Sequence, residues 1–153
     1  MKRVLVAVGG AKGSMACVMA CASLFADRPR PSVILLSVMQ YGGPAAADGA
    51  VNDAELAELR ETLEGSPQLE ELKAKAEAGF AVPRKFLEDH GFGDLRTVVR
   101  IGRPADEIVA GAAELGAELI VIGNTRGLLD KLLLGNVTQQ VAKTATVPVL
   151  LVR

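Results

Sequence analysis

Five short runs of nearly continuous apolar residues, at 4–8, 33–39, 97–101, 119–122 and 147–152, constrain this chain more than any other feature. A strand with one face in water alternates apolar and polar residues; a strand buried on both faces does not. These runs are of the second kind, rich in Val, Ile and Leu. The segments between them have helical spacing. Residues 15–25 are apolar and Ala-rich. Leu69, Leu72, Ala76, Phe80, Pro83 and Leu87 recur at steps of three and four, as do Ala105, Ile108, Ala112 and Leu115, and Val137, Val141 and Ala145 recur at four. Strands alternating with helices predict an α/β protein: a parallel sheet with helices on both faces. At 153 residues and 50% hydrophobic composition, the chain suits one domain over 1–153 with a well-filled core.

Local punctuation sharpens the boundaries. Pro104 fits a first helical position, where its missing N–H is not needed, and Asp106 and Glu107 favour the positive end of that helix. Gly116 is a suitable stop. Ser66 followed by Pro67 reads as an N-cap and first turn. Pro83 falls inside a helical pattern and predicts a kink or a break. Residues 41–52 carry Gly, Ala, Pro and Asp without period, so the region 41–66 opens as a variable surface loop; its place after the second strand also admits a lid.

Composition excludes several functions. Lys and Arg total 17 against 18 Asp and Glu, a balance without the basic excess of a general nucleic-acid binder. Two Cys exclude a disulfide framework. Cys17 and Cys21, four apart on the first helix, read as small core residues rather than a redox or metal pair. No apolar run approaches the ~20 residues of a membrane span. The first apolar run ends at Gly9-Gly10 without a cleavage-site pattern and reads as a strand, so a cytoplasmic protein without membrane association is expected. The single His90 looks like a helix-end residue. No nucleophile set, catalytic carboxylate pair or metal cluster emerges, so neither an enzyme nor a metal site is predicted.

Ligands of open parallel sheets bind beyond the carboxyl ends of the strands, where strand order reverses. Two such ends carry glycines. The first is Val8-Gly9-Gly10-Ala11-Lys12-Gly13-Ser14. The second is Ile122-Gly123-Asn124-Thr125-Arg126-Gly127, continued by Leu134-Gly135-Asn136-Val137-Thr138 at the start of the last helix. Glycine lets backbone N–H groups approach a phosphate, and a helix N-terminus adds positive partial charge. Tight turns also explain such glycines, and neither cluster matches the P-loop or the dinucleotide fingerprint. Lys12, Arg126 and Lys131 read as solvated charges first and phosphate contacts second.

Residues 4–8, Gly102-Arg103-Pro104-Ala105-Asp106-Glu107-Ile108, residues 116–123, Leu133-Leu134-Gly135-Asn136-Val137-Thr138 and residues 147–152, in this order and at these distances, resemble the universal stress protein family. The resemblance spans nearly the whole chain and is weakest over 41–66. It implies a UspA-like, adenine nucleotide alpha hydrolase-like fold: a five-stranded parallel sheet in the order 3-2-1-4-5. It implies a regulatory or sensor module that holds an adenine nucleotide, ATP or AMP, without turnover. The expected contacts are Val8, Gly9, Val38, Ile122, Gly123, Gly127, Gly135, Asn136, Val137 and Thr138. The phosphates would meet the amides of 135–138 and the base would approach Val38.

The chain departs from the motif of nucleotide-binding relatives, which is Gly-x-x-Gly, nine residues, then Gly-Ser/Thr. Here Asn136 follows Gly135, the glycines Gly123, Gly127 and Gly135 span one residue too few, and Gly9 stands where those relatives have Asp. The alternative is therefore a member that binds no nucleotide and works through protein–protein contacts, with a regulatory protein partner. Either way, a homodimer through the C-terminal strand is expected, because an apolar edge strand left open is an aggregation template.

Overall fold

In a computed structural model, the apolar runs become strands β1 (Arg3–Ala7), β2 (Ser32–Met39), β3 (Leu95–Ile101), β4 (Leu119–Gly123) and β5 (Val149–Val152). The periodic segments become helices α1 (Ala11–Leu24), α2 (Pro67–Ala78), α3 (Ala81–Asp89), α4 (Pro104–Leu115) and α5 (Leu134–Thr144). The structure describes residues 2–8, 11–39, 54, 66–123 and 134–152. The strands form one sheet in the order β3-β2-β1-β4-β5, parallel throughout. This is the predicted order.

Alternate residues of the central strands enter two separate cores, which is why their sequences do not alternate. Val4, Val6, Leu35 and Val121 pack with Cys17, Val18, Cys21 and Phe25 of α1 and its end, and with Leu87 and Phe92. Leu5, Leu36, Ile120 and Ile122 pack with Ala105, Ile108 and Ala112 of α4 and with Val141 of α5. Burying each Val, Leu, Ile or Phe among them contributes roughly 1.5–3 kcal/mol before conformational entropy is counted. Leu69 of α2 joins Met39, Val99 and Ile101 in a smaller cluster on the α1 side.

The helix signals resolve at the residue level. Ser66 caps α2, its Oγ accepting the Leu69 N–H at 3.2 Å, with Pro67 in the first turn. Gly116 ends α4 in the left-handed region, at φ 71°. Pro83 does produce a break, displaced toward the N-terminus: α2 stops at Ala78, and α3 restarts at Ala81. Pro83 thus falls in the first turn of α3, where its absent N–H leaves no bond unmade. Leu72 corrects the periodic reading of this segment. It is 43% exposed, while Leu69, Phe80, Pro83 and Leu87 are buried.

Two arginines close helix C-termini at the amino end of the sheet. Arg3 Nη1 donates to the carbonyl of Leu115, the last residue of α4, at 2.6 Å. Arg30 Nε donates to the His90 carbonyl behind α3 at 3.2 Å, and its Nη1 donates to Ala26 and Arg28 at 3.1 Å each. Both place positive charge on carbonyls that a helix end leaves without partners.

Candidate functional site

β1 lies between β2 and β4, so the chain reverses its direction of winding between β1 and β4. The crevice for a ligand falls at their carboxyl ends. Val8 follows β1 and is buried, its N–H donating to Leu36 at 2.7 Å. Ile122 is buried and Gly123 half-buried at the end of β4, where Gly123 pairs with Val152. Gly135 and Asn136 lie in the first turn of α5, with half-buried Val137 and buried Thr138 just behind them. Thr138 is the buried polar side chain among the described residues. Val38 lies one strand away, half-buried near the end of β2. Gly9 and Gly127 lie outside the described residues, as do Arg126, Lys131 and most of 41–66.

Two helices begin at this end of the sheet on opposite faces: α1 directly after β1, and α5 after β4. Neither has an acidic residue in its first turn. α2 opens with Glu70, and α4 with Asp106 and Glu107. A carboxylate in the first turn partly neutralises the positive end of a helix. At α1 and α5 that potential is left for something else. This arrangement can hold an anion. Among the described residues, no group of three or more His, Cys, Asp or Glu could hold a metal ion.

Beside this region the structure reveals an ion network that the sequence reading missed. Arg100, the cross-strand partner of Val38, lies half-buried between β3 and α4. Its Nε donates to Glu107 at 3.0 Å and its Nη1 to Glu114 at 2.7 Å. Glu107 therefore does more than favour its helix end; it also anchors α4 to the edge of the sheet. Gly111 makes room for the contact: a Cβ there would meet Leu36 Cδ1 at 3.2 Å and Arg100 Cδ at 3.3 Å, and both side chains would have to give way. The signal was present: a lone Arg inside an apolar strand run, facing Glu107, Gly111 and Glu114 at helical spacing.

The remaining candidates have structural roles. Cys17 and Cys21 are fully buried free thiols. Burial pushes them up to about 11 and about 12, with Cys17 adding to the shift of Cys21. Thiols held so far above neutrality are inert. His90 follows α3, its ring stacked on Phe86 at 4.1 Å, with Nδ1 2.7 Å from the Phe86 carbonyl. Asp106 is exposed in the first turn of α4.

A parallel sheet in this order with helices on both faces defines the doubly wound α/β class, in which ligands bind at the switch point. The model of the universal stress protein family matches residues 1–153, and this chain belongs to that family. It is 39% identical over 93 residues to universal stress protein MJ0531 of Methanocaldococcus jannaschii, a match covering 59% of this chain and 54% of that protein. The matched segments span about half or less of the curated relatives' own length. The solved structure of MJ0577 superposes with a TM-score of 0.74 at 25% identity, covering 99% of this chain and 94% of that one. A universal stress protein solved in complex with cAMP superposes at 0.66 and 20% identity, covering 99% and 96%. Among the described residues, no helix is long and apolar enough to cross a membrane.

Proposed function

We propose that this protein is a regulatory or sensor module that holds an adenine nucleotide, ATP or AMP, without turning it over, acting as a cytoplasmic homodimer. The observation that carries the reading is the pair of carboxylate-free helix starts, α1 and α5, at the switch point. Family membership and the cAMP complex of a similarly folded relative support an adenine nucleotide as the anion. The free, buried thiols suit a reducing compartment.

In this reading the phosphates rest on the amides of residues 135–138. Val8, Ile122 and Gly123 form the floor, and Val38 lies toward the base. Gly9, Gly127 and Asn136 complete the contact set. Gly135→Val removes the close backbone approach, so isothermal titration with ATP should show at least tenfold weaker binding while the circular dichroism spectrum stays unchanged. Unchanged ATP affinity in this variant overturns the assignment. ATP incubated with the wild-type protein should be recovered intact by chromatography.

A second reading, a member that binds no nucleotide and acts through a regulatory protein partner, is favoured by Gly9 and Asn136 at positions where binding relatives carry Asp and Ser or Thr. Mass spectrometry of small molecules that copurify with the native protein separates the two.

A further inference from the structure

The end of the sheet opposite the glycine crevice carries a polar cavity of about 260 Å³, lined by Arg3, Ser32, Ile34, Asp94 and Arg96 among others. Arg3 pairs with Ser32 across β1 and β2, and Ile34 with Arg96 across β2 and β3. Paired residues of parallel strands share a face, and so do residues two apart on one strand. Arg3, Ser32, Ile34 and Arg96 therefore project together from the α4 side. Two strand spacings and two residue rises separate the two arginine Cα atoms by roughly 12 Å. That is within the combined reach of two Arg side chains directed at one point.

The two guanidinium groups are not consumed by the fold. Arg3 uses Nη1 on the Leu115 carbonyl, which leaves its other N–H donors available. The Arg96 side chain makes no hydrogen bond or ion pair among the described residues. The contrast is local: Arg100, on the same face of the same strand, has two carboxylates. Asp94 offsets only one of the two charges, and its Oδ2 accepts a hydrogen bond from the Ser32 hydroxyl. Two guanidinium groups and one carboxylate leave a single net positive charge at the cavity.

We propose that this cavity binds a small oxyanion, a carboxylate or a phosphate, between Arg3 and Arg96. Planar guanidinium forks match both groups by paired N–H···O bonds. The volume lies below the roughly 300–1,000 Å³ of drug-sized pockets, and the single net charge and the nearby Asp94 disfavour a polyanion. The site is independent of the glycine crevice, since it lies at the amino rather than the carboxyl ends of the strands.

The test is a backbone-amide NMR titration at fixed ionic strength, with inorganic phosphate in one arm and succinate in the other. In the wild-type protein, the amides of Ser32, Ile34, Leu95 and Arg96 should shift saturably in at least one arm, and the arm that saturates identifies the source of the oxyanion. Arg96→Gln should weaken that binding at least tenfold and leave the ATP titration unchanged. Arg96→Lys, which keeps the charge but loses the fork, should fall between the two and serves if the Gln variant does not fold. Shifts that stay linear in both arms, or that saturate equally in the Arg96 variants, overturn the proposal.

Discussion

At the scale of single residues, backbone conformation and pairing decide more than residue type. Gly116 adopts φ 71°, and a Cβ there would lie 3.2 Å from Arg3 Nη1, the atom that closes the C-terminus of α4. Gly116→Ala imposes a left-handed residue with a side chain, worth about 1–2 kcal/mol, and pushes on that cap. Gly93 has nothing within 4 Å of its Cβ position and no positive φ, so Gly93→Ala should be neutral or slightly stabilising. Urea denaturation should show a lower midpoint for the first variant at unchanged slope, and none of that loss for the second. Gly116 was legible because a helix stop requires its conformation. The Arg3 contact was not, since it joins residues 112 positions apart.

At the scale of elements, the strands and helices were readable because their periodicities differ and because Ser66, Pro67, Pro104 and Gly116 mark their ends. The misplaced detail around Pro83 follows from the same physics. A proline tolerated in a first turn moves the break ahead of itself rather than onto itself. The hardest element to read was β3, an edge strand half-buried along most of its length, whose anchor to α4 depends on Arg100 meeting Glu107 and Glu114, seven and fourteen residues further on in the next helix. Arg100 lowers the Glu114 carboxyl from its usual 4.5, first by their hydrogen bond and then by charge. The folded value therefore lies below the unfolded one. The stabilisation is present above the unfolded value and is lost as pH falls through the depressed folded value. Glu114→Gln should accordingly melt lower than wild type at neutral pH, with the gap closing in acid. A gap that persists at acid pH would assign the effect to something other than this ion pair.

At the scale of the molecule, the switch point was legible because strand order follows from family resemblance and the glycines mark the strand ends. The oxyanion cavity was not, because it is assembled from three strands whose register no sequence pattern states. Register also distinguishes the two edges of the sheet. β3 carries Arg96 and Arg100 along its length, charges of the kind that blunt an edge against pairing. β5 is Val149-Leu150-Leu151-Val152, without a charge, and among the described residues bonds only to β4. Pro148, which has no N–H to donate, falls just before it, so the pairing segment itself retains its donors. An apolar cavity lined by Leu24, Phe25, Leu119 and Leu150 flanks this strand. Leu150 packs inward against the α1-side core, whereas Leu151 is 47% exposed on the other face. Two-fold antiparallel pairing of β5 with its copy would cover both unpaired backbones and the exposed leucine in one self-complementary contact. The variant that tests the contact without disturbing the core is therefore Leu151→Lys, which sets like charges near each other across the two-fold axis. Light scattering at micromolar concentration should give a dimer for the wild-type protein and a monomer for Leu151→Lys, with the same circular dichroism spectrum. A monomeric wild-type protein, or a dimer untouched by Leu151→Lys, rejects β5 as the interface.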